Sequence, residues 1–299
     1  MATTTTGISP DDLVLAGEGI ALPSTRTVTS PRRRWLSRIG VLAATLVLLV
    51  AVLWMLVPQW FTSYDPLIGV PADANQAPSG THWFGTDQLG RDVYARIVWG
   101  TINTGLTAGL AVLIGFVGGT FLGLVAPLSN RFVDSTIMRF VDVLIAIPGF
   151  LISLSIVSAF GPGTLTIGIG VGIASIASFA RVMRAEVLRV RGYDFVEAST
   201  ISGASYWSTL LRHILPNAAG PVLALVGVDL AAAILTISGL GFLGFGAPAP
   251  TPEWGLLIAE GRQYLTTAWW LTTWPGLVII VTVVALSTLS RRLLKWSRI

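Results

Sequence analysis

Residues Ile39 to Val57 read IGVLAATLVLLVAVLWMLV, nineteen residues without a charge or a proline. As a helix rising about 1.5 Å per residue, such a run covers about 28 Å, close to the hydrocarbon thickness of a bilayer. Backbone amides facing lipid must be satisfied within their own segment, so the run is expected to be helical. It follows Arg32, Arg33 and Arg34 and ends in Val57-Pro58-Gln59-Trp60. No small-x-small cleavage site follows, so it reads as a retained first span rather than a signal peptide or twin-arginine export signal.

Five similar runs lie further along, at approximately 103–126, 137–158, 164–180, 219–243 and 275–291. The expected fold class is therefore an all-α integral membrane protein with six transmembrane helices, the β-branched run Ile167 to Ile173 included. Composition agrees: 53% of the 299 residues are hydrophobic and 11% charged, against about 25% charged in a soluble domain. The absence of cysteine removes disulfides, thiol catalysis and thiolate metal sites. His82 and His213 fall in different loops, so no metal site is expected. The chain carries no HExxH, no Gly-x-Ser-x-Gly and no glycine-rich phosphate loop with lysine, and reads as non-catalytic.

Basic residues fix the expected orientation. With the N-terminus inside, fifteen of them fall on the inner side, among them Arg26, Arg38, Arg131, Arg189, Arg212, Arg292 and Lys295. Arg91, Arg96 and Arg262 fall outside. Both termini are thus expected in the cytoplasm. The same placement at segment ends reads as a topology signal rather than a nucleic-acid surface. Residues 1–38 read as a cytoplasmic tail and 39–299 as the membrane domain, with outer loops at 58–102 and 245–274 and an inner loop at 181–218. Gly115, Gly119 and Gly123, like Gly168 and Gly172, recur every four residues, a spacing that lets helices of one chain approach closely.

Charges inside the spans are few. Asp229 is expected to face a pore or bond a neighbouring helix rather than relay protons. Arg139 and Asp142, three residues apart near the start of the third span, are placed to pair with each other. Ion-coupled carriers bury relay charges at mid-membrane. This chain has no such series, so energy for transport must enter from outside it.

The inner loop supplies an entry point. Asp194 is placed to cap a short helix, with Glu197 reaching back as in a capping box. Gly203 is placed to end it in a left-handed turn. A second short helix is expected from about Ser205 to Leu215, broken by Pro216 before the fifth span. Phe195, Ala198 and Ile201 recur every three residues as one apolar face. Physics alone allows that face a protein partner or lipid headgroups.

The segment Glu197-Ala198-Ser199, then Gly203, then Leu215-Pro216, resembles the coupling motif of ABC-importer permeases: Glu-Ala-Ala, three residues, Gly, nine residues, Ile-x-Leu-Pro. Ser199 stands in place of the second alanine and His213 in place of the isoleucine. The run His82 to Val93 resembles the first-loop signature of the peptide/nickel branch. Asp134, Met138, Arg139, Asp142 and Pro148 resemble its third-span pattern. Pro252 to Gly255, Glu260 to Arg262 and Ala268 to Trp270 resemble its last outer loop. The likeness covers most of 80–299 and is closest to the C-type membrane subunit of dipeptide and oligopeptide importers.

The resemblance implies a type I ABC-importer permease in a bacterial inner membrane, carrying short peptides. Its partners would be a homologous second permease, ATPase subunits that bind ATP and magnesium, and an extracytoplasmic binding protein; this chain would hold no cofactor. Asp194, Phe195, Glu197, Ala198, Ser199, Gly203, Leu215 and Pro216 would couple to the ATPase. Trp83, Phe84, Asp87, Arg91, Asp92, Glu253, Trp254 and Arg262 would receive the binding protein at the outer mouth. The alternatives are an ion-coupled secondary carrier and a non-transporting scaffold that recruits a cytoplasmic partner through the same loop.

Overall fold

A computed structural model describes residues 31–296, with side chains over 39–294. The expected tail lies outside these limits except for the backbone of 31–38, as do the side chains of Lys295 and Arg298. The chain divides into two units, Met1–Ile39 and Gly40–Ile299. All packing described below is within the second.

Among the described residues the secondary structure is helical apart from one isolated bridge between Thr86 and Asp92. The main helices are α1 (Pro31–Leu56), α2 (Val93–Leu128), α3 (Arg131–Ala146), α4 (Gly149–Phe160), α5 (Thr164–Arg191), α6 (Asp194–Ile201), α7 (Tyr206–Thr209), α8 (Leu215–Phe242), α9 (Trp254–Gly261) and α10 (Trp270–Trp296). Five segments are long and apolar enough to span a bilayer: Ile39–Leu56, Val93–Leu128, Thr164–Arg191, Tyr206–Phe242 and Trp270–Leu294.

The third expected span is not one straight helix. It consists of α3 and α4, bent by 86° between Ala146 and Gly149. Pro148 has no N–H to continue the α3 ladder, and it forces Ile147 into an extended conformation at φ −94°, ψ 125°. At about 1.5 Å per residue neither half alone crosses the hydrocarbon. Among the described residues there are therefore five candidate spans, or six when the bent pair is counted as one.

The second span begins ten residues earlier than its apolar run. Asp92 caps α2 by accepting the Ala95 N–H at 2.7 Å, and buried acidic partners let Arg96 enter the helix. The fifth span also begins early. Pro216 does not break the preceding helix; a π turn at Leu210–Ile214 leads straight from α7 into α8. A wider turn just ahead of a proline accommodates the missing N–H and the ring within one continuous helix. Asn217 Nδ2 donates to the His213 carbonyl at 2.6 Å in that stretch.

α2 and α5 form the main packed pair. A Cβ on Gly119 would lie 2.4 Å from the Ile176 carbonyl oxygen, and one on Gly123 would lie 2.4 Å from that of Ala180. Only glycine allows this approach, so the four-residue glycine spacing serves packing within the chain. Phe179, Met183, Val187 and Val190 continue the buried face of α5 to its end.

The expected Arg139–Asp142 pair does not form. Asp142 instead accepts from Arg181 Nη2 of α5 at 2.8 Å. Arg184, one turn further along α5, grips Asp134 of α3 through Nε and Nη2, each at 2.7 Å. A helix three residues apart on itself competes here with two arginines presented from a packed neighbour, and the neighbour wins. Arg139 is exposed and makes no ion pair among the described residues.

Candidate functional site

Three groups of polar residues occupy three levels of the bundle: the end that carries α6, the opposite end that carries α9, and the middle.

At the first end, α5 runs without interruption to Arg191, whose Nη1 donates to the Pro127 carbonyl at the end of α2. α6 follows at once. Tyr193, not Asp194, is its N-cap, and neither Asp194 nor Glu197 forms the expected capping box. Both carboxylates are exposed. α6 ends as the sequence predicts: Gly203 has φ +84°. Its N–H donates to the Thr200 carbonyl at 3.0 Å, and the Ala204 N–H to that of Ser199 at 3.1 Å. These two bonds form a Schellman end, whose left-handed residue is readily glycine.

One side of α6 holds it to the bundle and the other is open. Val196, 6% exposed, joins a cluster with Val187, Val190, Leu210 and Ile214. Phe195 is 44% exposed and Ile201 79%, and Ala198 lies open between them. Tyr206 and Trp207 of α7 add exposed aromatic surface nearby. The two positions that depart from the motif have local roles. Ser199 Oγ lies 3.5 Å from Thr209 Oγ1, joining α6 to α7 across the glycine turn. The His213 ring rests near Phe195 with centroids 6.2 Å apart. Leu215 is half-buried and Pro216 exposed at the start of α8. Val196 and Thr209 are both buried, and the spacing of Phe195, Ala198 and Ile201 marks neither of them.

At the opposite end, most residues expected to meet a partner are interior. Asp87, Arg91, Asp92, Glu253 and Trp254 are all buried, Phe84 is half-buried, and only Trp83 and Arg262 are exposed. Asp87 Oδ2 accepts from Arg91 Nε at 2.7 Å and from Arg96 Nη1 at 2.8 Å. Glu260 Oε2 accepts from Arg96 Nη1 at 2.6 Å and from Arg91 Nη2 at 3.4 Å. Asp92 Oδ2 meets His82 Nδ1 at 2.8 Å. Buried charges persist where each finds opposite charge and hydrogen bonds. Trp254 donates from Nε1 to the Ile97 carbonyl at 3.1 Å, and Trp270 from Nε1 to that of Thr86 at 3.2 Å. Phe84 stacks on Trp274 with centroids 4.4 Å apart. These contacts clamp the loop before α2 onto α9 and α10. Arg96 and Glu260 complete the clamp, and nothing local in the sequence marks them as partners.

Glu253 caps α9, accepting the Gly255 N–H at 3.0 Å and that of Leu256 at 3.3 Å. Its carboxyl faces Gly241 and Gly246; a Cβ on either would lie within 2.6 Å of Oε2. Burial pushes the Glu253 carboxyl up to about 7, with the two backbone donors opposing the shift.

In the middle, the α3–α4 elbow, α5 and α8 border an open-sided cavity of about 340 Å³. Ser153, Ser175, Ser178, Asp229 and Thr236 line it together with apolar groups. Asp229 accepts from Ser175 Oγ at 3.1 Å, a bond between α8 and α5. The residue thus makes the bond to a neighbouring helix that was one of its two expected roles, and it also lines the cavity. The chain supplies more polar lining than its charge-poor spans imply, because hydroxyls spaced along three helices converge.

Long apolar helices with a short helical unit between two of them define a polytopic membrane protein. Residues 119–298 match the family described as the binding-protein-dependent transport system inner membrane component. The chain is 36% identical to the glutathione transport system permease protein GsiD of Pectobacterium atrosepticum, over 86% of each chain. It is 34% identical to the dipeptide transport system permease protein DppC of Alkalihalophilus pseudofirmus, over 84% of this chain and 82% of that one. A methionine ABC transporter, MetNI, shares the fold at a TM-score of 0.55 and 16% identity, covering 68% of this chain and 96% of that chain. The chain belongs to the binding-protein-dependent transport system inner membrane component family. It is a non-catalytic, multi-pass permease subunit of the ABC-importer class in the inner membrane, and the secondary-carrier and scaffold readings fall away.

Proposed function

We propose that this chain forms half of the translocation path of an ATP-driven importer of short peptides. Relatives whose names specify dipeptides and glutathione support that cargo class. A homologous second permease would form the other half, and ATP and magnesium would be bound by ATPase partners. The tail of 1–38 and both termini would face the cytoplasm, as the distribution of basic residues implies.

The observation that carries the coupling role is the open face of Phe195, Ala198 and Ile201 on a helix fixed from behind by Val196. An apolar helix face seats in a groove of a partner. In this reading α6 rests in the ATPase, and the ATPase's closure moves α5 and α8 as rigid bodies. Asp194 and Glu197 would make polar contacts at the rim, and Ser199, Leu215 and Pro216 would hold the unit together. At the other end Trp83 and Arg262 would meet the binding protein, while Phe84, Asp87, Arg91, Asp92, Glu253 and Trp254 keep that surface in shape.

A cysteine probe tests the docking directly, because the chain has no cysteine of its own. Glu197→Cys is expected to crosslink to the ATPase subunit in membranes, and Trp83→Cys to the binding protein. Crosslinking of Glu197→Cys to lipid alone would contradict the reading.

A further inference from the structure

Of the four hydroxyls that line the mid-bundle cavity, Ser153, Ser175, Ser178 and Thr236, three have their protons committed within the bundle and Ser178 alone keeps its own. Ser153 Oγ donates to the Gly149 carbonyl at 2.9 Å, Thr236 Oγ1 to that of Ala232 at 3.0 Å, and Ser175 Oγ to Asp229 Oδ1 at 3.1 Å. Each of these oxygens keeps lone pairs and no free proton. Asp229 Oδ2 is buried and has no hydrogen-bond partner among the described residues. No lysine, arginine or histidine lines the cavity. Its 340 Å³ falls within the usual range of small-molecule sites, roughly 300–1,000 Å³.

A bond between α5 and α8 needs an acceptor at position 229 but not a charge. An unpaired carboxylate oxygen away from water is unfavourable. The complement of this site is a compact cation with several N–H donors, and a primary ammonium carries three. Short peptides bear that group at their N-terminus. We infer that the cavity holds the protonated amino group of the cargo in transit, with Asp229 as its counter-charge and Ser175 holding that carboxylate in place. The inference rests on the peptide reading above.

The test uses the complete transporter in proteoliposomes, with this chain, its second permease, its ATPases and its binding protein, and alanylalanine as cargo. Asp229→Asn keeps an oxygen for Ser175 and removes the charge. It is expected to lower peptide imported per ATP hydrolysed about tenfold, in complexes of wild-type subunit stoichiometry. Ser175→Ala keeps the charge and removes the link, and is expected to lower it no more than about threefold. Import by Asp229→Asn at the wild-type ratio overturns the inference. So does an equal loss in both variants, which would make the pair a helix link only. Replacing sodium by N-methylglucamine is expected to change nothing; a fall to the Asp229→Asn level would make the occupant an inorganic cation and overturn the inference. Failure of the wild-type complex to import alanylalanine would overturn the peptide reading and this inference together, whereas the variant arms bear on the inference alone.

Discussion

Arg96 donates from Nη1 to Glu260 at 2.6 Å, joining α2 to α9 across 164 residues of sequence. The same Nη1 donates to Asp87 at 2.8 Å. One buried guanidinium thus fastens the loop before α2 and the helix after α8 to the same point, and the end of the bundle that carries α9 becomes a fixed surface. Glu260→Gln keeps an oxygen acceptor and removes the charge that balances Arg91 and Arg96. It is expected to destabilise the purified protein by about 3 kcal/mol, read as a lower unfolding midpoint in detergent, with wild-type transport per folded complex. An unchanged midpoint would mean the knot contributes no stability.

Glu253 makes stability depend on pH. Burial raises its carboxyl to about 7 in the fold, above the ordinary value of 4.5. Between those values the folded chain holds a proton that the unfolded chain has released. Stability is therefore greatest below about 4.5, falls as pH rises towards 7, and levels off above it; the upper bound on the loss is about 3 kcal/mol. Thermal unfolding of Glu253→Gln is expected to lose this slope over the same window. A variant with the wild-type slope would assign the dependence to another group.

Arg184 and Asp134 tie α5 to α3 by two bonds. Lysine cannot reproduce the fork, so Arg184→Lys is expected to lower stability by about 1 kcal/mol, a modest figure because both side chains are partly exposed. A double-mutant cycle with Asp134→Asn measures the coupling; a value near zero would reduce the pair to a surface contact.

Neighbouring residues on α6 are expected to separate stability from assembly. Val196→Ala removes the buried anchor, with an expected loss of about 1 kcal/mol. Phe195→Ala, on the open face, is expected to leave the unfolding midpoint in place and to weaken recovery of the ATPase in pull-downs. Equal effects from both would contradict the two-sided reading of the helix.

Much of the architecture was legible because span length and hydropathy follow from bilayer thickness alone. The left-handed end at Gly203 followed from local chemistry, whereas the run of α5 on to Arg191 lies in what the hydropathy alone assigns to the inner loop. The bend at Pro148 did not, since hydropathy records that a segment is apolar and not which way it points. The proline was visible, but the apolar run continued through it. The clamp of Asp87, Arg96 and Glu260 was hidden by sequence distance, and charges in a loop read as surface until a distant helix covers them. Asp142 has a plausible partner three residues away, and only packing of α5 against α3 shows that Arg181 takes it. The cavity at Asp229 needed three helices at once, because Ser153, Ser175 and Thr236 are unremarkable singly.

The central claim is that α6 and its left-handed turn transmit ATPase motion to the spans. A Cβ on Gly203 would meet nothing within 4 Å, so a defect there reports backbone conformation and not a clash. The decisive measurement is peptide import per ATP hydrolysed by reconstituted complexes carrying Gly203→Val or Gly203→Asn. Asparagine tolerates the left-handed region and valine does not. The account predicts import near the wild-type ratio for Gly203→Asn, and ATP hydrolysis that persists with import reduced at least about tenfold for Gly203→Val. Wild-type import per ATP in the valine complex would contradict it.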